Sequence, residues 1–136
     1  MNNFSDDTKI ISSESFGDYD LEYLKQKNTL LINVIVSSNN KGHYLSDFLS
    51  EFNESDDVKE DLLSPINDVM NAVLLNEVIS GECLSAYVEN EYTYFINGRK
   101  GLDKQKSSEN PEMFVSTSIF KEIILKWLEF LESQKC

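Results

Sequence analysis

The chain has 136 residues, with 24 Asp and Glu against 12 Lys and Arg and a single histidine, for a formal net charge of -12. An apolar fraction of 40% and an aromatic fraction of 11% exclude an unfolded chain, because disordered sequences cannot assemble that much buriable surface. The negative field, strongest in the first half of the sequence, disfavours nucleic acid and anionic lipid and favours a basic protein as partner.

The length predicts one domain over 1–136, near the commonest domain size. Residues 1–28 are polar and acidic with scattered apolar anchors, which reads as a loosely ordered N-terminal segment with a short helix or turn over 18–26. Thr29 to Ser37 is the clearest strand. Its near-continuous run of Leu30, Leu31, Ile32, Val34, Ile35 and Val36 suits a strand covered on both faces. After the turn cluster at 38–42, Leu45, Phe48, Leu49 and Phe52 recur at helical spacing, so 43–52 reads as a helix. Residues 53–61 read as a hydrated acidic segment.

Ser64-Pro65 has the form of a helix start, with a capping serine, proline at the first helical position and Asp68 near the positive end of the dipole. Ile66, Val69, Met70, Val73 and Leu74 continue the stripe, which predicts a helix to about Asn76. Beyond Ser80-Gly81 the period shifts to two. Leu84 to Val88 and Tyr92 to Ile96 read as a hairpin turning at Glu89-Asn90-Glu91, with a second turn at Asn97-Gly98. Residues 99–112 form a loop, Met113 to Val115 a short strand, and Ser116-Thr117-Ser118 caps the last helix. Its apolar face is Phe120, Ile123, Ile124, Trp127, Leu128 and Leu131, widened by Ile119, Leu125 and Phe130. The predicted class is α+β, a single-domain two-layer sandwich of a mainly antiparallel sheet packed by helices.

The sequence offers little catalytic equipment. With His43 as the only histidine, a His-based zinc cluster is excluded within one chain. A Cys83–His43 pair has no local signature. His43 reads as an exposed or capping residue and Cys83 as a small buried hydrophobe. Asp56, Asp57, Glu60 and Asp61 have one-turn spacing but lack the alternating Asp/Asn pattern and central glycine of a calcium loop. They read as a solvated face or a partner contact ahead of a metal site. Gly98 and Gly101 fit no nucleotide fingerprint, and Arg99, Lys100, Lys104 and Lys106 read as a loop balancing the acidic remainder. The reading is therefore a non-enzyme with no cofactor, no metal and no catalytic residue.

Two cysteines, Cys83 and Cys136, are too few for a disulfide framework, the first residues lack the pattern of a secretory signal, and no apolar run approaches the roughly 20 residues a membrane span needs. A cytoplasmic location without membrane attachment follows as the expectation. Tyr87, Tyr92, Tyr94 and Phe95 stand on adjacent predicted strands flanked by Glu82, Glu89 and Glu91. Rigid aromatic anchors with a charged rim are what binding surfaces use, while cross-strand packing is the plainer reading. The candidate partner-binding residues are Asp18, Asp20, Glu22, Glu54, Asp56, Asp57, Glu60, Asp61, Glu89, Glu91, Tyr92 and Tyr94.

A small acidic chain with a Tyr-rich hairpin and a closing helix Phe120-Lys-Glu-Ile-Ile-Leu-Lys-Trp127-Leu-Glu-Phe-Leu131 resembles bacterial toxin-immunity proteins of contact-dependent inhibition and related polymorphic toxin systems. The resemblance is one of overall character. It implies an inhibitor that binds one cognate toxin domain, often a basic nuclease, with acidic side chains standing where substrate phosphates belong. The alternatives are a secretion chaperone binding an extended effector segment and an enzyme using carboxylates such as Asp57 and Glu60. Monomer and dimer both remain open.

Overall fold

The computed structural model describes residues 8–97 and 111–135, and its contacts divide the chain into two compact units, Met1–Asn53 and Glu54–Cys136. The architecture is α+β, with one antiparallel sheet in each unit.

In the first unit, strands β1 (Thr8–Phe16), β2 (Tyr19–Gln26) and β3 (Thr29–Val36) form a meander in the order β1-β2-β3. Both turns have two residues, and Gly17 and Lys27 take the left-handed conformation (φ 58° and 56°) that tight hairpins favour. Register pairs Leu21 with Val34 and Tyr23 with Ile32, and these four side chains form the buried face. Asp20, Glu22, Asn33 and Ile35 occupy the other face, where Ile35 is 43% exposed.

Two expectations are corrected here. Residues 19–26 form a strand where a helix or turn was expected, with Asp18 in the turn before it, so the polar stretch over 8–26 is an ordered hairpin. β3 is fully buried on the face of Ile32, Val34 and Val36, while on the other Leu31 and Asn33 are half-buried and Ile35 is exposed. β1 is mostly exposed and serine-rich, so it carries no apolar alternation to betray it.

The outer edge of β3 is closed by helix α1 (Gly42–Ser50). Val34 N–H donates to Ser46 Oγ (2.7 Å), Ile32 N–H donates to Ser50 Oγ (3.2 Å), and Ser50 Oγ donates back to the Ile32 carbonyl (3.1 Å). Side-chain hydroxyls thus complete a ladder edge that would otherwise stand open. The helix approaches closely because Gly42 has no side chain. A Cβ there falls well inside contact distance of the Val34 carbonyl.

In the second unit, α2 (Ser55–Asp57) runs into a π-helical stretch (Val58–Leu63) and on into α3 (Ser64–Met70). Ser55, Val58, Leu62, Ile66 and Val69 form its buried stripe, leaving Asp56, Asp57, Glu60 and Asp61 exposed. The predicted hydrated segment is therefore helical, and Ser64-Pro65 continues a helix it was expected to start. Ser64 N–H bonds to the Lys59 carbonyl five residues back. The wider turn precedes Pro65, whose missing donor and bulky ring do not fit a regular α-helical ladder.

Helix α3 ends six residues before the expected Asn76. Ala72 N–H bonds the Val69 carbonyl and Val73 N–H the Asp68 carbonyl, the paired bonds of a Schellman stop. Ala72 holds the left-handed position (φ 61°) where glycine is usual. Val73 and Leu74, expected on the buried stripe, are exposed, and Leu75 is 90% exposed.

Strands β4 (Asn76–Ser80), β5 (Leu84–Glu89), β6 (Tyr92–Asn97) and β7 (Met113–Ser116) form the second sheet in sequence order. Helix α4 (Thr117–Ser133) buries Phe120, Ile123, Ile124, Trp127, Phe130 and Leu131. Phe95 meets Phe120 edge to face at 5.3 Å, and Trp127 stacks on Phe130 at 5.9 Å. Leu128, expected in the stripe, is only half-buried, whereas Phe130 is core. β4 was not foreseen, and Cys83 is exposed in the β4–β5 turn, contrary to the buried reading. Residues 98–110, holding most of the expected 99–112 loop and its basic cluster, lie outside the described residues, as does Cys136.

Two substitutions check these devices. Gly42→Ala forces a clash with backbone and should cost about 1–3 kcal/mol, read from the urea midpoint. Ala72→Gly relieves a left-handed alanine and should raise stability by about 0.5–1 kcal/mol, with an unchanged denaturant slope.

Candidate functional site

Alternation along β6 sends Thr93 and Phe95 into the core and Tyr92, Tyr94 and Ile96 to the opposite face. β7 pairs Tyr94 with Phe114 and Tyr92 with Ser116, so Phe114 joins the two tyrosines. The rings form a mutual cluster: Tyr92 to Phe114 at 5.7 Å, edge to face, Tyr94 to Phe114 at 6.1 Å and Tyr92 to Tyr94 at 6.4 Å. These separations fall in the favourable range for aromatic pairs. Phe114 is 58% and Tyr92 42% exposed, so the cluster is presented outward.

The end of the β5–β6 hairpin is held by one residue at the start of α4. Thr117 Oγ1 donates to the Glu89 carbonyl (2.6 Å), and its backbone N–H donates to the Glu91 carbonyl (2.9 Å). Because the Thr117 proton is committed to Glu89, the 2.9 Å contact between Thr93 Oγ1 and Thr117 Oγ1 has Thr93 as donor. Both threonines are fully buried. The Glu89-Asn90-Glu91 turn is therefore fixed beside the aromatic cluster.

Electrostatics register the same proximity. Partial burial raises the Tyr94 phenol above the ordinary tyrosine value. The negative charge of Glu89 adds to this, followed by Tyr92 and Glu91. An open recess of about 340 Å³ beside the turn is lined by Asn90, Glu91, Tyr92, Ser116 and Ser118.

Of the twelve candidate residues, Glu89, Glu91, Tyr92 and Tyr94 come together here. Phe114 was missed, although the alternation of Met113, Phe114 and Val115 marks it as the outward residue of β7. Asp20 and Glu22 lie on the exposed face of the first sheet, accepting from Ser15 Oγ (2.7 Å) and Asn33 Nδ2 (3.0 Å). Asp18 sits in the β1–β2 turn, where its carboxylate accepts from Ser37 Oγ at 2.7 Å. Hydrogen bonds from Ser38 and then Ser37 hold its carboxyl below the usual aspartate range.

Glu54 precedes α2, and Asp56, Asp57, Glu60 and Asp61 line the exposed side of the helix that follows. Between them Lys59 pairs with Glu132 of α4 at 3.0 Å, which raises the lysine pKa and lowers that of the glutamate. His43 is exposed in the first turn of α1, its Nδ1 3.2 Å from the Asn40 carbonyl.

Among the described residues, no group of three or more His, Cys, Asp or Glu side chains is arranged to hold a metal ion, and no helix is long and apolar enough to cross a membrane. No family model, curated protein or solved structure matches the chain.

Thr117→Val keeps the volume but strands the Glu89 carbonyl and the Thr93 hydroxyl. We expect a loss of about 1–3 kcal/mol, together with faster amide exchange at the hairpin turn. In a tyrosinate absorbance titration, one step absent from Tyr94→Phe should lie above the ordinary tyrosine value, and Glu89→Gln should move that step downward.

Proposed function

We propose that the chain is a binding protein that docks a basic protein domain on the aromatic face of its second sheet, and that it acts as an immunity protein neutralising a cognate toxin domain. The observation that carries this reading is the exposed Tyr92–Tyr94–Phe114 cluster bordered by Glu89 and Glu91. Aromatic side chains on a rigid sheet lose little entropy on docking, and they dominate the energetics of interfaces. The carboxylates beside them select a positively charged surface and speed encounter. A net charge of -12 extends that steering beyond contact distance. The narrower assignment, inhibition of a toxin such as a basic nuclease, is supported by the resemblance in size, charge and closing helix to toxin-immunity proteins. Exposed acid groups at Asp56, Asp57, Glu60 and Asp61 add to the same field.

The immobilised chain should capture a basic protein at low salt and release it as salt rises. The captured protein, produced alone, should arrest growth, and co-production of this chain should relieve the arrest. Replacing Tyr92 and Phe114 with alanine should weaken capture about 30-fold or more, whereas Glu89→Gln with Glu91→Gln should mainly slow association. A captured protein without toxicity would remove the immunity assignment. Capture indifferent to Tyr92 and Phe114 would remove the docking face.

A further inference from the structure

The first sheet has two edges of opposite character. On β3, Ile32 and Val34 direct their backbone groups at α1, where Ser46 and Ser50 receive them. Backbone groups alternate sides along an antiparallel strand, so Leu31, Asn33 and Ile35 bond to β2. By the same alternation Leu21 and Tyr23 of β2 bond to Glu14 and Ser12 of β1. Ser13 and Ser15 therefore turn their N–H and C=O groups outward. No backbone partner meets them among the described residues, and both residues are exposed.

β1 is nine residues long, more than natural edges usually leave open. Its register shift lies between Ile10 and Ser12, which leaves Ser12 to Phe16 in regular pairing. Ser13 stands opposite Glu22 and Ser15 opposite Asp20. Because the serines are small, a recess of about 360 Å³ opens over Ser13, Ser15, Asp20, Glu22 and Ile35.

We propose that the outer edge of β1 accepts an extended segment of a partner protein as a fourth strand, with Lys or Arg at positions i and i+2 laid across Ser13 and Ser15 onto Glu22 and Asp20. An added strand lies about 4.8 Å from β1 and about twice that from β2, so an extended lysine or arginine crossing a serine reaches the carboxylates. Residues two apart on that strand point to the same face, matching the Ser13–Glu22 and Ser15–Asp20 rows. Main-chain bonds supply affinity and the carboxylates supply selection, the usual division in strand addition. The inference rests on the preceding reading for the charge of the partner but uses a different surface.

The test titrates the full chain with a short synthetic peptide alternating lysine with valine and with its glutamate–valine counterpart. The lysine peptide should bind, protect the Ser13 and Ser15 amides from exchange, and leave the aromatic face unperturbed. Ser13→Pro removes an outward N–H and no ladder bond, so the sheet persists by circular dichroism and affinity falls about tenfold. Asp20→Asn with Glu22→Gln should produce a similar fall and flatten the salt dependence. Equal binding of the two peptides, or wild-type affinity in Ser13→Pro, overturns the proposal. So does light scattering that finds a stable dimer dissolved by Ser13→Pro, because a second copy then owns the edge. Tyr92→Ala with Phe114→Ala should bind the peptide normally. Loss of partner capture in that variant alone leaves the aromatic reading standing whatever the peptide does.

Discussion

The Thr117 hydroxyl is the contact on which the candidate site depends. It accepts from Thr93, donates to the Glu89 carbonyl, and shares its residue with the N–H that reaches Glu91. A buried hydroxyl that satisfies two other polar groups is expensive to remove. It joins the hairpin to the helix whose Phe120 and Trp127 fill the core of the second unit. The exposed rings of Tyr92 and Phe114 are held on regular strands, and the carboxylates beside them hang from a turn with its backbone already bonded. Pre-organisation of this kind lowers the entropy that docking must overcome.

The first unit applies the same economy to a sheet edge. Gly42 lets α1 come against β3, and Ser46 and Ser50 supply the missing hydrogen bonds. One edge is closed by side chains while the other keeps its backbone groups outward. The two acidic surfaces consequently differ in kind. On the second sheet, charge borders apolar rings; on the first, it lies behind small serines beside an open ladder.

The parts of this architecture legible in the sequence were those where one face alone is buried. Period two over Tyr92 to Ile96 and the stripe from Phe120 to Leu131 appear in the fold as read, with Phe130 buried more deeply than Leu128, whereas Leu84 to Val88 form a strand buried on both faces, Ser85 and Tyr87 included. What escaped had a physical reason each time. β1 hides because nearly all its side chains face solvent. The acidic 53–61 segment hides a helix because Val58 is its one large apolar residue, too few to show a stripe. The stop after α3 is made by Ala72, a residue carrying no turn signal. At the candidate site, the tyrosines and glutamates were visible, and Phe114 required knowing that β7 pairs with β6.

Hydroxyl-radical footprinting of the chain, free and bound to its captured basic partner, tests the central claim most directly. The account predicts that oxidation of Tyr92, Tyr94 and Phe114 falls sharply in the complex while that of the exposed Leu75 is unchanged. Undiminished oxidation of the three rings in a saturated complex would contradict it.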